Sequence, residues 1–366
     1  MNSIKNIEIK NFKSIRHLKI DGCKRINVFI GYPNVGKSNI LEALSLFSID
    51  KPNAEFPSFV RSEELTTLFF DGNVDKRIEI KINNENRIIT TLESNKIRFF
   101  WQLKGTNASF DKIDAGIQEP LYDILNFIKT ENDDIIGNWD SIFKRQPRSD
   151  DFTKKLNEEG YLAPIKKYNF QKNIAYSSGR YDSLSIPNGE NIFDIIRSHS
   201  DIREEIANLF EIYDLKLLYD STQKDFSILK SVDKDTIFTI PYKLIADTLQ
   251  RLIFYKVSIA SNKGSILLFE EPEAHMFPPY ISKLTADAMY DKNGNQFFIN
   301  THSPFVINDF MENMKNEELS IYIVGYKKKT GETVVRRLTD EEMHEIYQYG
   351  IDLYLNLENF LFHEQQ

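Results

Sequence analysis

One cysteine is too few for a disulfide within the chain: Cys23 has no second thiol to pair with. The six scattered histidines give no zinc-ligand spacing either, so the expectation is a reducing compartment, the cytoplasm. Long apolar runs are absent too. No stretch reaches the roughly 18 residues of a membrane span, and Lys5, Glu8 and Lys10 stand where a signal peptide would be apolar. Neither secretion nor a membrane partner is indicated. An excess of basic residues is also missing. With 46 Lys and Arg against 54 Asp and Glu, the formal charge of −8 excludes a protein that coats nucleic acid without preference, while local basic patches stay open. Glycine and proline, 15 and 12 in 366 residues, are too sparse for a low-complexity chain.

What is present is a folding composition, 41% hydrophobic and 27% charged, in a chain long enough for two domains or one large α/β domain with an insertion. Ile4, Ile7, Ile9 and Phe12 mark a first strand, Leu18 and Ile20 a second, and Ile26 to Ile30 a buried third. A glycine-rich turn follows, and KSNILEALSLF from Lys37 to Phe47 then has apolar residues at helical spacing. Residues 76–104 alternate like an antiparallel meander, and 105–170 change texture to short charged and apolar clusters, read as a mainly helical insertion. Beyond that come a strand at 172–178 (KNIAYSS), helical segments near 190–218, two strands near 225–240 and a helix near 242–261. SILLFE (265–270) and QFFIN (296–300) are short apolar runs separated by a helix-length stretch, as parallel central strands are. The chain divides on this reading into 1–104, 105–170 and 171–366.

Three motifs carry chemistry. Gly31 to Ser38 (GYPNVGKS) matches the phosphate loop G-x-x-x-x-G-K-[ST] between a strand and a helix, the context that the motif needs. Amides of such a loop and of the helix start cradle phosphate oxygens, with Gly31, Asn34, Val35, Gly36, Lys37, Ser38 and Asn39 as the candidate binding residues. Lys37 reaches the terminal phosphates and the Ser38 hydroxyl ligates Mg²⁺, which makes ATP and magnesium the expected ligands. The second motif is LLFEEPEAH, where Glu270 and Glu271 end an apolar strand and so reach the crevice at which α/β sheets bind ligands. Glu270 is assigned to the magnesium shell and Glu271 to polarising the attacking water. The third is Asn300-Thr301-His302-Ser303-Pro304, directly after QFFIN. A lone histidine is more often structural, but His302 follows the other two motifs in order and is placed against the γ-phosphate as a second catalytic residue.

Together the opening IEIKNFKSI, the loop GYPNVGKSN, the run LLFEEPEAH and the THSP segment resemble the ABC-type head ATPases that include SMC proteins, RecF and the overcoming-lysogenisation-defect (OLD) group. The resemblance implies an α/β head with a mixed sheet, an antiparallel meander and a helical insertion. It also implies ATP sandwiched between two heads, hence a homo-oligomer. The signature segment departs from that family, which carries Ser-x-Gly before a helix. Here the stretch reads Ile245 to Arg251 (IADTLQR), with Asp247 or Thr248 as substitutes, or else a helix of structural purpose only.

Long heptad arms are missing, and so is room for a Toprim nuclease after His302, which points to an OLD-like head without that domain. The expected role is a nucleotide-switched component of a DNA-transaction or anti-phage defence system that controls a separately encoded effector, a nuclease or toxin. The alternatives are a RecF-like repair ATPase, a non-hydrolysing ATP-dependent scaffold and a transporter subunit, the last disfavoured by the missing signature. Nucleic acid stays open as a partner through the basic hairpin of Tyr326 to Arg337, although a solvated hairpin accounts for those charges too. The amphipathic tail from Glu341 to Phe362 is expected to pack on the core.

Overall fold

Strand β3 (Ile26–Ile30) is buried at all five positions, the pattern of a strand with neighbours on both edges and cover on both faces. Its one polar side chain, Asn27, is fully buried and satisfied, donating to the carbonyls of Lys24 (2.7 Å) and Phe297 (3.1 Å). The computed structural model describes residues 3–48, 59–83, 86–93, 96–102, 109–113, 164–172, 174–177, 182–220, 225–233 and 236–361. They form two units that alternate along the chain: Met1–Cys23, Tyr32–Pro164 and Val324–Arg337 in the first, and Lys24–Gly31, Ile165–Ile323 and Leu338–Gln366 in the second.

The second unit is built on a parallel sheet in the order β14 (Leu319–Tyr326), β3, β13 (Gln296–Asn300), β12 (Ile266–Glu270), β8 (Ile165–Tyr168). Its central strands carry almost nothing but apolar side chains, and those of one face, Val28, Leu267, Phe269, Phe297, Ile299 and Ile321 among them, join one core with the helices of this unit. Those helices are α2 (Ile192–Ser198), α3 (Ser200–Glu211), α4 (Asp247–Ala260), α5 (Pro278–Met289), α6 (Pro304–Asn313), α7 (Asp340–Tyr349) and α8 (Leu357–Leu361). Helices α5 and α6 both start on a proline, which loses nothing at a first turn whose amide has no intrahelical acceptor. Arg25, just before β3, donates to the carbonyls of Ala288 and Met289 at the end of α5, each at 2.9 Å, and so satisfies groups that a helix C-terminus leaves open. Phe29 stacks on Tyr322 at 5.0 Å and Tyr255 meets Phe269 edge-on at 5.0 Å, so aromatic packing runs through the core. A small sheet, β9 (Lys216–Asp220), β10 (Asp225–Ser231) and β11 (Ile237–Pro241), belongs to the same unit.

The tail packs as its amphipathic pattern requires. Helix α7 opens on a capping box between Thr339 and Glu342 and ends on Gly350 in the left-handed region, φ 60°. Met343, Ile346, Leu353 and Leu357 are buried in the core of the second unit.

The first unit is an antiparallel sheet in the order β2 (Ile15–Asp21), β1 (Asn6–Phe12), β4 (Ile78–Ile82), β5 (Asn86–Glu93), β6 (Lys96–Gln102), β7 (Ser109–Ile113). Helix α1 (Lys37–Ser45) buries Ile40, Leu41, Ala43 and Leu44 in this unit. It also buries Glu42 completely; the carboxylate is held by Lys13 and by Arg61 at 2.7 Å, the pairing without which a buried charge is costly. Past Ile323, β14 continues into a hairpin with β15 (Thr333–Arg337), whose turn is closed by the Gly331 amide on the Lys327 carbonyl at 2.8 Å. One of its basic side chains, Lys327, is paired with Glu332 at 2.7 Å.

One expectation is corrected. The strand expected at 172–178 is not formed at the described positions there; the fifth parallel strand is Ile165–Tyr168, whose two lysines break the apolar pattern. The segment expected to be a helical insertion, 105–170, holds strands at both described ends: Ser109–Ile113 extends the meander and Ile165–Tyr168 joins the parallel sheet, while 114–163 lie outside the described residues. Among the described residues no helix is long and apolar enough to cross a membrane.

Candidate functional site

The phosphate loop turns through two left-handed positions. Asn34 has φ 61°, which asparagine tolerates, and Gly36, the N-cap of α1, has φ 99°, which requires glycine. Two side chains from distant parts of the sequence, Ser14 and Thr333, brace the loop. The Thr333 hydroxyl donates to the Val35 carbonyl at 2.9 Å and lies 2.7 Å from the Ser14 hydroxyl, and Asn39 donates to Ser14 at 2.7 Å. Val35 is buried and Ser38 half-buried, while Asn34 is exposed. Lys37 is only 5% exposed and its ammonium donates to the Tyr32 carbonyl at 2.8 Å, inside its own loop. The helix start carries no side-chain cap, a glycine leaves the backbone approachable and a buried cation stands beside it. That combination fits a phosphate group.

Gly31 directly follows β3 in the second unit, and the other two motifs sit on the same edge of the parallel sheet. Strand register aligns Glu270 with Asn300 and Asn300 with Phe29, so β12, β13 and β3 finish side by side. At such an edge an α/β sheet binds its ligands. Glu271 takes φ 44°, a left-handed value that costs a side-chain-bearing residue free energy; its amide is held by the Asn300 carbonyl at 3.1 Å and side-chain oxygen at 2.8 Å. Its carboxylate lies 3.5 Å from His302 Nε2, and both side chains are partly open to solvent. The structure thus brings Glu270, Glu271 and His302 together, and separately gathers Asn34 to Asn39 in the loop.

Two residues beside these carboxylates carry no readable motif. Lys167 on β8 is 3% exposed and sits 3.5 Å from the Glu270 carboxylate, which gives that acid a buried cationic neighbour. The only sequence signal is a double lysine in a run otherwise apolar or aromatic. Glu273 is 6% exposed; burial holds its carboxyl above the usual carboxylate range, although hydrogen bonds from Thr301 and the His302 amide oppose this. Tyr354, between α7 and α8, donates to the Thr301 carbonyl at 3.2 Å, and burial and the charge of Glu273 push its phenol well up.

The signature stretch is engaged locally. Thr248 donates to the His275 carbonyl at 2.8 Å, just past the carboxylate run, and Asp247 is paired with Arg251 (3.2 Å) and Lys172 (3.7 Å). The Thr248 contact braces the start of α4 on the turn that follows Glu271. Among the described residues no three His, Cys, Asp or Glu side chains gather into a metal cluster.

Comparison with known proteins gives the family and the fold. The chain is 26% identical over 329 residues to the ATP/GTP phosphatase of Helicobacter pylori, covering 82% of this chain and 85% of that one. It is 30% identical over 109 residues to the DNA replication and repair protein RecF of a Thermoanaerobacter species, a match covering 28% of this chain and 30% of RecF. Among solved structures, the Smc head bound to the C-terminal winged-helix domain of ScpA superposes with a TM-score of 0.55 at 15% identity, over 92% of this chain and 98% of that one. The fold is therefore that of the SMC and ABC-type ATPase head, α/β with parallel and antiparallel strands. Residues 26–308 match the family described as "AAA domain, putative AbiEii toxin, Type IV TA system", and to that family of AAA domains the chain belongs.

Proposed function

We propose that this chain binds ATP with magnesium and hydrolyses it, and that the nucleotide state switches its engagement with other molecules. Glu271 at 3.5 Å from His302, at the ends of the parallel strands β12 and β13, carries this reading. Lys37 and the loop amides hold the phosphates. Ser38 and Glu270 are the oxygen donors for magnesium, an ion that keeps several waters and uses few protein ligands. Bound magnesium supplies neutralisation of phosphate charge. Glu271 orients and polarises the attacking water, and His302 contacts the terminal phosphate. Glutamine at 271 keeps the shape but polarises water poorly, so Glu271→Gln is expected to bind ATP as wild type does and to turn over about 100-fold more slowly or worse. Undiminished turnover in that variant sinks the assignment.

The domain reading goes with this function: 1–104 and 171–366 supply the head, and the effector docks on the 105–170 insertion or on the basic hairpin around Lys327. ATP between two heads makes a homo-oligomer, and an OLD-like head acts through a separately encoded nuclease or toxin in a defence system. The family description, with its toxin and Type IV TA system, supports that setting. The RecF match supports the alternative of a repair ATPase on DNA. Capture of the native complex in ATP and magnesium separates them: a co-purifying effector protein favours the first, duplex DNA without one the second.

A further inference from the structure

We propose that Glu273 is a positioning residue for His302: it fixes the Thr301–His302 turn, and through it the imidazole that faces Glu271. The carboxyl group stands inside the protein, where a charge without a task would cost stability. One of its oxygens, Oε1, accepts from both the Thr301 hydroxyl and the His302 amide, the latter at 3.1 Å. Thr301 is fully buried; its amide donates to the Phe29 carbonyl at 3.1 Å, and its hydroxyl oxygen accepts the Ser303 amide at 3.0 Å. The residues on each side of His302 are therefore tied, and Glu273 accepts from the backbone amide of His302 itself. The other oxygen, Oε2, is buried with no hydrogen-bond partner. A residue kept only for packing would be expected to be apolar, since an unpaired buried oxygen is a net cost. What the acid supplies is the acceptor at Oε1.

Glu273 lies in the same short turn as Glu271, between two left-handed positions, Glu271 at φ 44° and His275 at φ 61°. The turn that presents the carboxylate of Glu271 thus also presents the acceptor that holds His302. Both partners of the 3.5 Å pair are set by one piece of backbone. The role needs an acceptor and not a charge. Glutamine retains a carbonyl oxygen for Thr301 and His302, whereas alanine leaves both donors without one.

The inference rests on the hydrolytic reading, and the test separates the two. Glu273→Ala and Glu273→Gln are each made alone and with His302→Ala, and kcat and KM are measured with ATP and magnesium. Glu273→Ala is expected to lower kcat about tenfold or more with KM within about twofold, a modest case of what misplacing a group at the reacting centre costs. Glu273→Gln should stay within about threefold of wild type, because the acceptor survives. In the His302→Ala background the alanine change should cost nothing further, since two residues acting as one unit are not additive. Equal fold-losses in both backgrounds would overturn the positioning role. Should Glu273→Ala fail to fold, Glu273→Met fills the volume without an acceptor and takes its place. A wild-type chain without ATP turnover would refute the hydrolytic reading but still leave the inference decidable by NMR. The His302 imidazole resonances should respond to Glu271→Gln in the otherwise wild-type chain and not in the Glu273→Ala chain; the same response in both overturns the proposal.

Discussion

The hydroxyl of Thr333 closes directly against Gly36: a β-carbon built on that glycine would stand 2.2 Å from Thr333 Oγ1 and 2.6 Å from Ser14 Oγ. With φ 99° the position is also one that side-chain-bearing residues avoid. Gly36→Ala should therefore destabilise by about 2–5 kcal/mol, the sum of a left-handed backbone and an overpacked contact. The phosphate loop should lose nucleotide binding with it. Gly331 provides the control: its φ is 66° but nothing lies within 4 Å of a β-carbon there, so Gly331→Ala should cost only the backbone part. Equal thermal shifts for the two variants would remove the Thr333 contact from the account.

Lys37→Ala should separate binding from folding. The ammonium donates to the Tyr32 carbonyl in a partly buried hydrogen bond, whose loss should lower stability by about 1 kcal/mol. Losing one charge-assisted contact to phosphate, about 1.5–3 kcal/mol, should weaken ATP on the order of 10- to 100-fold. Isothermal titration beside a denaturant melt reads both numbers, and unchanged affinity in a folded variant contradicts the loop assignment.

The sequence made the central strands and the phosphate loop legible because each is a local pattern. ILLFE and QFFIN are apolar runs of strand length, and the loop is eight consecutive residues in a strand-to-helix setting. What stayed hidden depends on partners far along the chain. Ser14 and Thr333 meet across 319 positions, and neither alone marks a brace for the loop. Ile165–Tyr168 reads as half solvent-facing because two of its four residues are lysines, yet Lys167 is buried by its pairing with Glu270. Glu273 reads as one more acid in a charged run until Thr301 and His302 are seen to donate to it. Periodicity assigns lysines and glutamates to solvent, so it fails where a buried charge is kept for a partner.

The pair Lys167–Glu270 yields the sharpest test of that last point. The lysine side chain is 4% exposed and the glutamate 16%, with 3.5 Å between charges. Removing one partner of a buried pair costs roughly 3–5 kcal/mol because the other charge is stranded. Glu270 keeps some access to water, so Lys167→Met should fall at the lower edge of that range. Glu270→Gln takes the carboxylate away from the lysine, the more deeply buried of the two, and should cost at least as much. The double variant Lys167→Met with Glu270→Gln strands neither charge and should be more stable than either single one, giving a favourable coupling energy of at least about 1 kcal/mol in the cycle. Denaturant melts of the four proteins measure it. If the two losses simply add, the 3.5 Å approach has no energetic weight and Lys167 is buried for its stem alone. An aspartate at 270 would end one methylene short of the lysine, so Glu270→Asp should weaken the same coupling, which ties the glutamate at this strand end to the lysine on β8.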